Sequence, residues 1–114
     1  MELDTLIQQL AMKPEQTDFQ TVIATIDDNY VFTPTGFSNG EQVNAADQNN
    51  GSCKIFSFAA LQKLSVEATL ACFGSFYRDD VLGDPKGDSH QNIRQFMIHG
   101  WDGIRFDGQA LKIR

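Results

Sequence analysis

The stretch HGWDGIRFDGQALKIR, residues 99–114, decides the fold class. Ile104 and Phe106 alternate with Arg105, Leu111 and Ile113 alternate with Lys112, and Asp107-Gly108 is a two-residue turn signal between them. This pattern predicts a C-terminal β-hairpin in which Ile104 faces Leu111, Phe106 faces Gln109 and the apolar side chains share one side. Just before it, Gly100 can end a helix by taking a positive φ, and Trp101 is placed to close the core. Upstream the period changes. Over 89–99, Ile93, Phe96 and Met97 recur at helical spacing, and Asp88 with Gln91 three residues on has capping-box spacing. Segments 53–64 and 66–77 are apolar nearly all round, the composition of two buried helices, with Ser65 as the cap of the second. Leu3, Leu6, Ile7 and Leu10 mark an amphipathic first helix that Pro14 interrupts. Phe19, Val22, Ile23, Ile26 and Tyr30 mark another, with Thr17 or Asp18 as its cap. Residues 30–37 are rich in aromatic and β-branched types, yet Pro34 lacks a ladder donor, so a strand there is short or lies at an edge. The polar run 40–52 has no periodicity and reads as an exposed loop. Together these elements predict one α+β domain over residues 1–114, mainly helical, with about five helices, a C-terminal hairpin and a short extra strand.

A length of 114 residues leaves room for one domain, and Leu, Ile, Val and Phe make up about a quarter of them, enough for a folded core. No apolar run approaches a membrane span, and residues 1–9 have neither a basic start nor an apolar centre, so neither membrane insertion nor an export signal is expected. The formal net charge of −6 disfavours nucleic acid and anionic lipid as partners. Most of that acidity lies before Cys53, singly or as Asp27-Asp28 among apolar positions, as on a solvated helix surface. Cys53 and Cys72 form neither a metal-cage pattern nor a disulfide framework, and free thiols in a reducing cytosol are expected. His90 with Asp84 or Asp88 matches no calcium loop and no zinc spacing, so no metal or other cofactor is expected.

Two constellations could carry chemistry. Cys53 follows Asn49-Asn50-Gly51-Ser52 and reads as opening a helix, where free backbone N–H groups and the helix dipole favour a thiolate. With His90 or His99 as the base, it is the candidate for a cysteine-dependent hydrolase or transferase. The likeness to the Gly-Ser-Cys-aromatic stretch of papain-type enzymes breaks at Lys54, and the bland reading keeps Cys53 as a residue tucked under the loop. The second constellation joins Tyr77, Arg78, Asp79 and Asp80 to His90, Asn92 and Arg94. Either Arg78 and Arg94 pair with Asp79, Asp80 or Asp88 and tie two helices, or these side chains contact a ligand or partner.

Four ordered motifs carry a resemblance: YVFTPTGFSNG at 30–40, GSCKIFSF at 51–58, TLACFGSFYRDDVL at 69–82 and HQNIRQFMIHGWDGIRFDG at 90–108. Over almost its whole length the chain resembles the HopJ family of type III effector-like proteins. The resemblance implies a small bacterial protein, made in the cytoplasm, in a family named for members that a type III secretion system delivers into plant cells. It does not imply a reaction and carries over no catalytic set and no cofactor; the first functional expectation is a non-enzymatic protein that acts by binding a protein partner, and the rival is the cysteine-dependent enzyme.

Overall fold

Helices form where the apolar stripe is bounded by a cap or a breaker. The computed structural model describes residues 1–114. Helix α1 (Leu3–Met12) stops short of Pro14, and α2 (Phe19–Asn29) is capped by Asp18, whose carboxylate accepts the Thr21 N–H at 3.1 Å. Next come α3 (Asn50–Gln62) and α4 (Val66–Ala71), the latter capped by Ser65, whose hydroxyl accepts the Ala68 N–H at 3.1 Å. Helix α5 (Gln91–His99) ends at Gly100 with φ +59°. The strands are β1 (Tyr30–Phe32), β2 (Phe37–Asn39), β3 (Gln42–Asn44), β4 (Ile104–Phe106) and β5 (Leu111–Ile113). The α+β class holds.

The C-terminal hairpin does not. β4 and β5 form as strands, but β5 pairs with β1, and β4 pairs with β2, which also carries β3. The pairs Tyr30–Ile113, Phe32–Leu111, Phe37–Phe106 and Asn39–Ile104 share one register, so residues 30–39 run antiparallel to 104–113 as a single interrupted ladder. Thr33 donates its N–H to the Ala110 carbonyl at 2.8 Å and Asp107 donates to Gly36 at 2.9 Å, which carries the ladder to both sides of the donorless Pro34. Alternation specified the strands but not their partners. The hairpin would have opposed Phe106 with Gln109, whereas the observed register opposes Phe32 with Leu111 and Phe37 with Phe106, two apolar pairs. Neither Asp107 nor Gly108 takes the positive φ that a tight turn needs.

Three local expectations also change. The exposed loop 40–52 contains β3 and the first turn of α3, and its Asn44 is buried. The helix expected over 66–77 ends at Ala71, because the backbone at Gly74 (φ +59°) comes close to α2; a π-helical turn, Phe76–Val81, follows. Asp88 does not cap α5. His90 occupies the N-cap position in a left-handed conformation, and the Gln91 amide donates to the Asp88 carbonyl at 2.8 Å. A glycine comparison checks both the turn and the ladder. Gly74→Ala, where a Cβ would meet the Phe19 nitrogen at 2.8 Å, should cost about 1 to 3 kcal/mol, whereas Gly108→Ala should stay within about 0.5 kcal/mol; chemical denaturation measures both.

The core lies between the helices and the ladder, and Phe56 of α3 is its centre. Its ring sits 6.0 Å from Phe37, 5.4 Å from Phe73 and 4.9 Å from Phe96. Trp101 meets Phe96 edge-on at 5.1 Å and donates its indole N–H to the Leu64 carbonyl at 3.0 Å, closing one end as expected.

Candidate functional site

The two polar runs singled out in the sequence meet at Asp80 and His90; of their residues His90 and Asn92 line a groove, whereas Tyr77, Arg78, Asp79, Asp80 and Arg94 lie outside its lining. The π-helical turn sets Phe76 and Asp80 four residues apart, and both reach His90: Asp80 Oδ2 lies 3.1 Å from its Nε2, and the Phe76 ring lies 5.2 Å from the imidazole. Behind this rim opens a groove of about 430 Å³ between the N-terminal ends of α3 and α5. Phe19, Phe73 and Phe76 give it an apolar wall. Gln42, Asn49, Ser52, Gln91 and Asn92 give it neutral polar groups. The volume falls in the range of about 300 to 1,000 Å³ typical of ligand pockets.

A buried amide cluster holds the floor. Asn39, Asn44 and Asn92 are almost fully buried. Asn44 Oδ1 accepts from Asn92 Nδ2 at 3.0 Å and from Asn49 Nδ2 at 2.7 Å, and Asn92 Oδ1 accepts from Asn44 Nδ2 at 3.1 Å. Asn39 Nδ2 donates to the Asn92 carbonyl at 2.7 Å. These bonds fix β2, β3 and the starts of α3 and α5 against one another, since amides buried without partners would be costly. Asn44 and Asn49 carry no sequence signal of this role because they lie in the 40–52 run that reads as polar loop, and Asn39, just before it, falls outside every element read from the sequence.

The arginines work differently from the expected ion pairs. Neither forms a salt bridge with Asp79, Asp80 or Asp88. Arg94 is buried and donates to backbone carbonyls, with Nη1 on Asp84 at 2.9 Å and Nε on Ser89; its Nη2 reaches the Ser89 hydroxyl at 3.3 Å. Arg78 Nη2 donates to the Thr17 carbonyl at 2.9 Å. Both tie segments together as expected, but the partners are carbonyls, since a fork of five donors can serve several strands of backbone at once.

Cys53 stands apart from this groove's polar set. The helix opens three residues earlier, at Asn50, so the Cys53 N–H is already spent on the Asn49 carbonyl at 3.0 Å. The thiol is buried and donates to the Thr35 carbonyl at 3.4 Å, and no hydrogen bond joins it to His90 or His99. Burial pushes its pKa up, the reverse of an activated nucleophile. Cys72, also buried, is pushed up to about 12. A thiol kept neutral in the fold and free to ionise when unfolded leaves stability unchanged below about pH 9.0 and lowers it as pH rises toward 12. His99, the other candidate base, is exposed at the end of α5.

These features define a small α+β domain with a mixed amide and aromatic groove. None of its helices is long and apolar enough to cross a membrane, and no three His, Cys, Asp or Glu side chains converge as metal ligands. The family model described as HopJ type III effector protein matches residues 3–111, and the chain belongs to the HopJ family. A search of curated proteins returns no match. Among solved structures, the chain is similar to a crystal structure of a protein of unknown function, VPA0580. The two share 54% identity and a TM-score of 0.98, over 100% of this chain and 95% of that one.

Proposed function

We propose that the protein acts by binding a protein partner, without covalent chemistry at Cys53, on the face where the π-helical turn meets the start of α5. The observation that carries this reading is the groove itself, with His90 and Asp80 joined at its rim. Tyr77, Asp79, Asp80 and His90 are the contact residues of this face, Asn92 is its floor, and Arg78 and Arg94 hold its backbone in place. The family description as type III effectors supports a role exercised on another protein, after synthesis in the bacterial cytoplasm and passage through a type III system.

Photocrosslinking tests the face directly. A benzoylphenylalanine at Tyr77 should give a discrete adduct in the producing bacterium or in a host-cell extract, at a yield at least about fivefold above the same group at the remote, exposed Met12. Equal yields, or none at either position, would contradict the proposal.

A further inference from the structure

The groove's lining favours one class of ligand, and we infer, building on the partner-binding reading, that it takes an uncharged extended peptide segment held mainly by its backbone. Not one lining side chain is a carboxylate, an ammonium or a guanidinium, and the single titratable one, His90, already has its Nε2 against Asp80. The polar lining consists of amides and a hydroxyl, which offer donors and acceptors without charge. Such groups match peptide N–H and C=O groups, whereas a charged ligand would be desolvated here without an opposite charge.

Spare donors lie at the same place. The N–H of Cys53 goes to Asn49, and those of Ile93 and Arg94 go to the His90 carbonyl, but no hydrogen bond is made by the amides of Gly51, Ser52, Gln91 or Asn92. Two helix starts present these donors to one groove, and peptide carbonyls are acceptors of the matching kind.

Electrostatics decides between a carbonyl and an anion. Each helix start contributes roughly half a positive charge. Asp79 and Asp80, on the π-helical turn, and Asp88, two residues before His90, each contribute a full negative charge near the rim, within a chain of net charge −6. The balance disfavours an acidic segment. The rings of Phe19, Phe73 and Phe76 supply an apolar wall for one aliphatic or aromatic side chain of the segment.

An NMR titration of the full ¹⁵N-labelled chain tests the inference. The neutral probes are acetyl-Ala-Leu-Ala-amide and acetyl-Ala-Phe-Ala-amide; the charged probe is acetyl-Asp-Leu-Asp-amide. At least one neutral probe should shift the Gly51, Ser52, Gln91 and Asn92 amides saturably, with a Kd on the order of 1 mM, and the acidic probe should bind at least about fivefold more weakly. Ser52→Phe, which fills the groove, should weaken the neutral probe about tenfold or more. Gln91→Trp serves the same purpose if the first variant melts early. Tighter binding of the acidic probe would overturn the inference and mark an anion site. Absence of saturable shifts up to about 20 mM with either neutral probe, or binding indifferent to the blocking variants, would overturn it as well. If the Tyr77 adduct forms while the neutral probes fail, the partner-binding face stands and the ligand class falls.

Discussion

Phe56→Ala is expected to lower stability by about 3 to 5 kcal/mol, the largest effect of any single truncation considered for this fold. The side chain is fully buried and its ring meets those of Phe37, Phe73 and Phe96, which come from β2, the segment after α4, and α5. The cavity left behind would therefore be lined by three separate elements, none of which can collapse into it without disturbing the ladder or the groove. A domain of this size has on the order of 5 to 15 kcal/mol to lose, so the variant should be destabilised at 25 °C and its melting temperature lowered by roughly 10 °C or more. Phe56→Leu should cost much less, about 1 to 1.5 kcal/mol, because it keeps most of the volume. Thermal and guanidinium melts read both values. A Phe56→Ala melt within a few degrees of the parent would show that the core is not centred on this ring.

Arg94→Ala is expected to cost about 3 kcal/mol, measured in the same way. The guanidinium is buried and serves the carbonyls of Asp84 and Ser89, so its removal strands several acceptors in the segment that leads from the π-helical turn to α5. Arg94→Lys should restore only part of the loss, since a single ammonium cannot reproduce the planar fork. Because the acceptors are carbonyls and not carboxylates, the cost should change little between low and high salt. A loss that vanishes in about 1 M salt would instead indicate an ion pair. The groove rim depends on this segment, so amide exchange at Asp84 and Gly87, whose N–H groups bond to the Val81 and Asp84 carbonyls, should quicken in Arg94→Ala even at temperatures where the core remains folded.

Periodicity made the helices legible. The stripes of α1 and α2, the Asp18 and Ser65 caps, Gly100 as the terminator of α5 and Trp101 at the core's edge all follow from local rules, and the structure realises each of them. Strand identity was legible for the same reason, but strand pairing was not. Asp107-Gly108 is a valid local turn signal, yet the apolar pairs Phe32–Leu111 and Phe37–Phe106 are formed across about seventy to eighty residues of chain, and no local pattern encodes that choice. Gly74 ends α4 for a tertiary reason, the approach of the Phe19 backbone, which a helical stripe cannot announce.

The site was half legible. Tyr77–Asp80 and His90–Arg94 stood out as the densest polar runs in the chain, and the structure brings them together through Asp80 and His90. Their partners in the groove did not stand out. Asn44 and Asn49 look like loop residues, and Asn39 falls in no element read from the sequence, because burial of an amide depends on what closes over it, and here that is Asn92 of a helix about fifty residues away. Cys53 was conspicuous for its position after Gly51-Ser52, but the helix starts earlier, at Asn50, and this moves the thiol from an exposed helix start into the core.

On the proposed reading the protein works through its groove and not through its thiol, and one comparison of adduct yields separates the two. With benzoylphenylalanine at Tyr77, the partner adduct is measured in the parent, in Cys53→Ala and in Ser52→Phe, each first checked for a cooperative melt. Cys53→Ala should remain within about twofold of the parent, and Ser52→Phe should lose about tenfold or more. Loss of the adduct in Cys53→Ala with full retention in Ser52→Phe would contradict it and return the thiol to the centre of the protein's action.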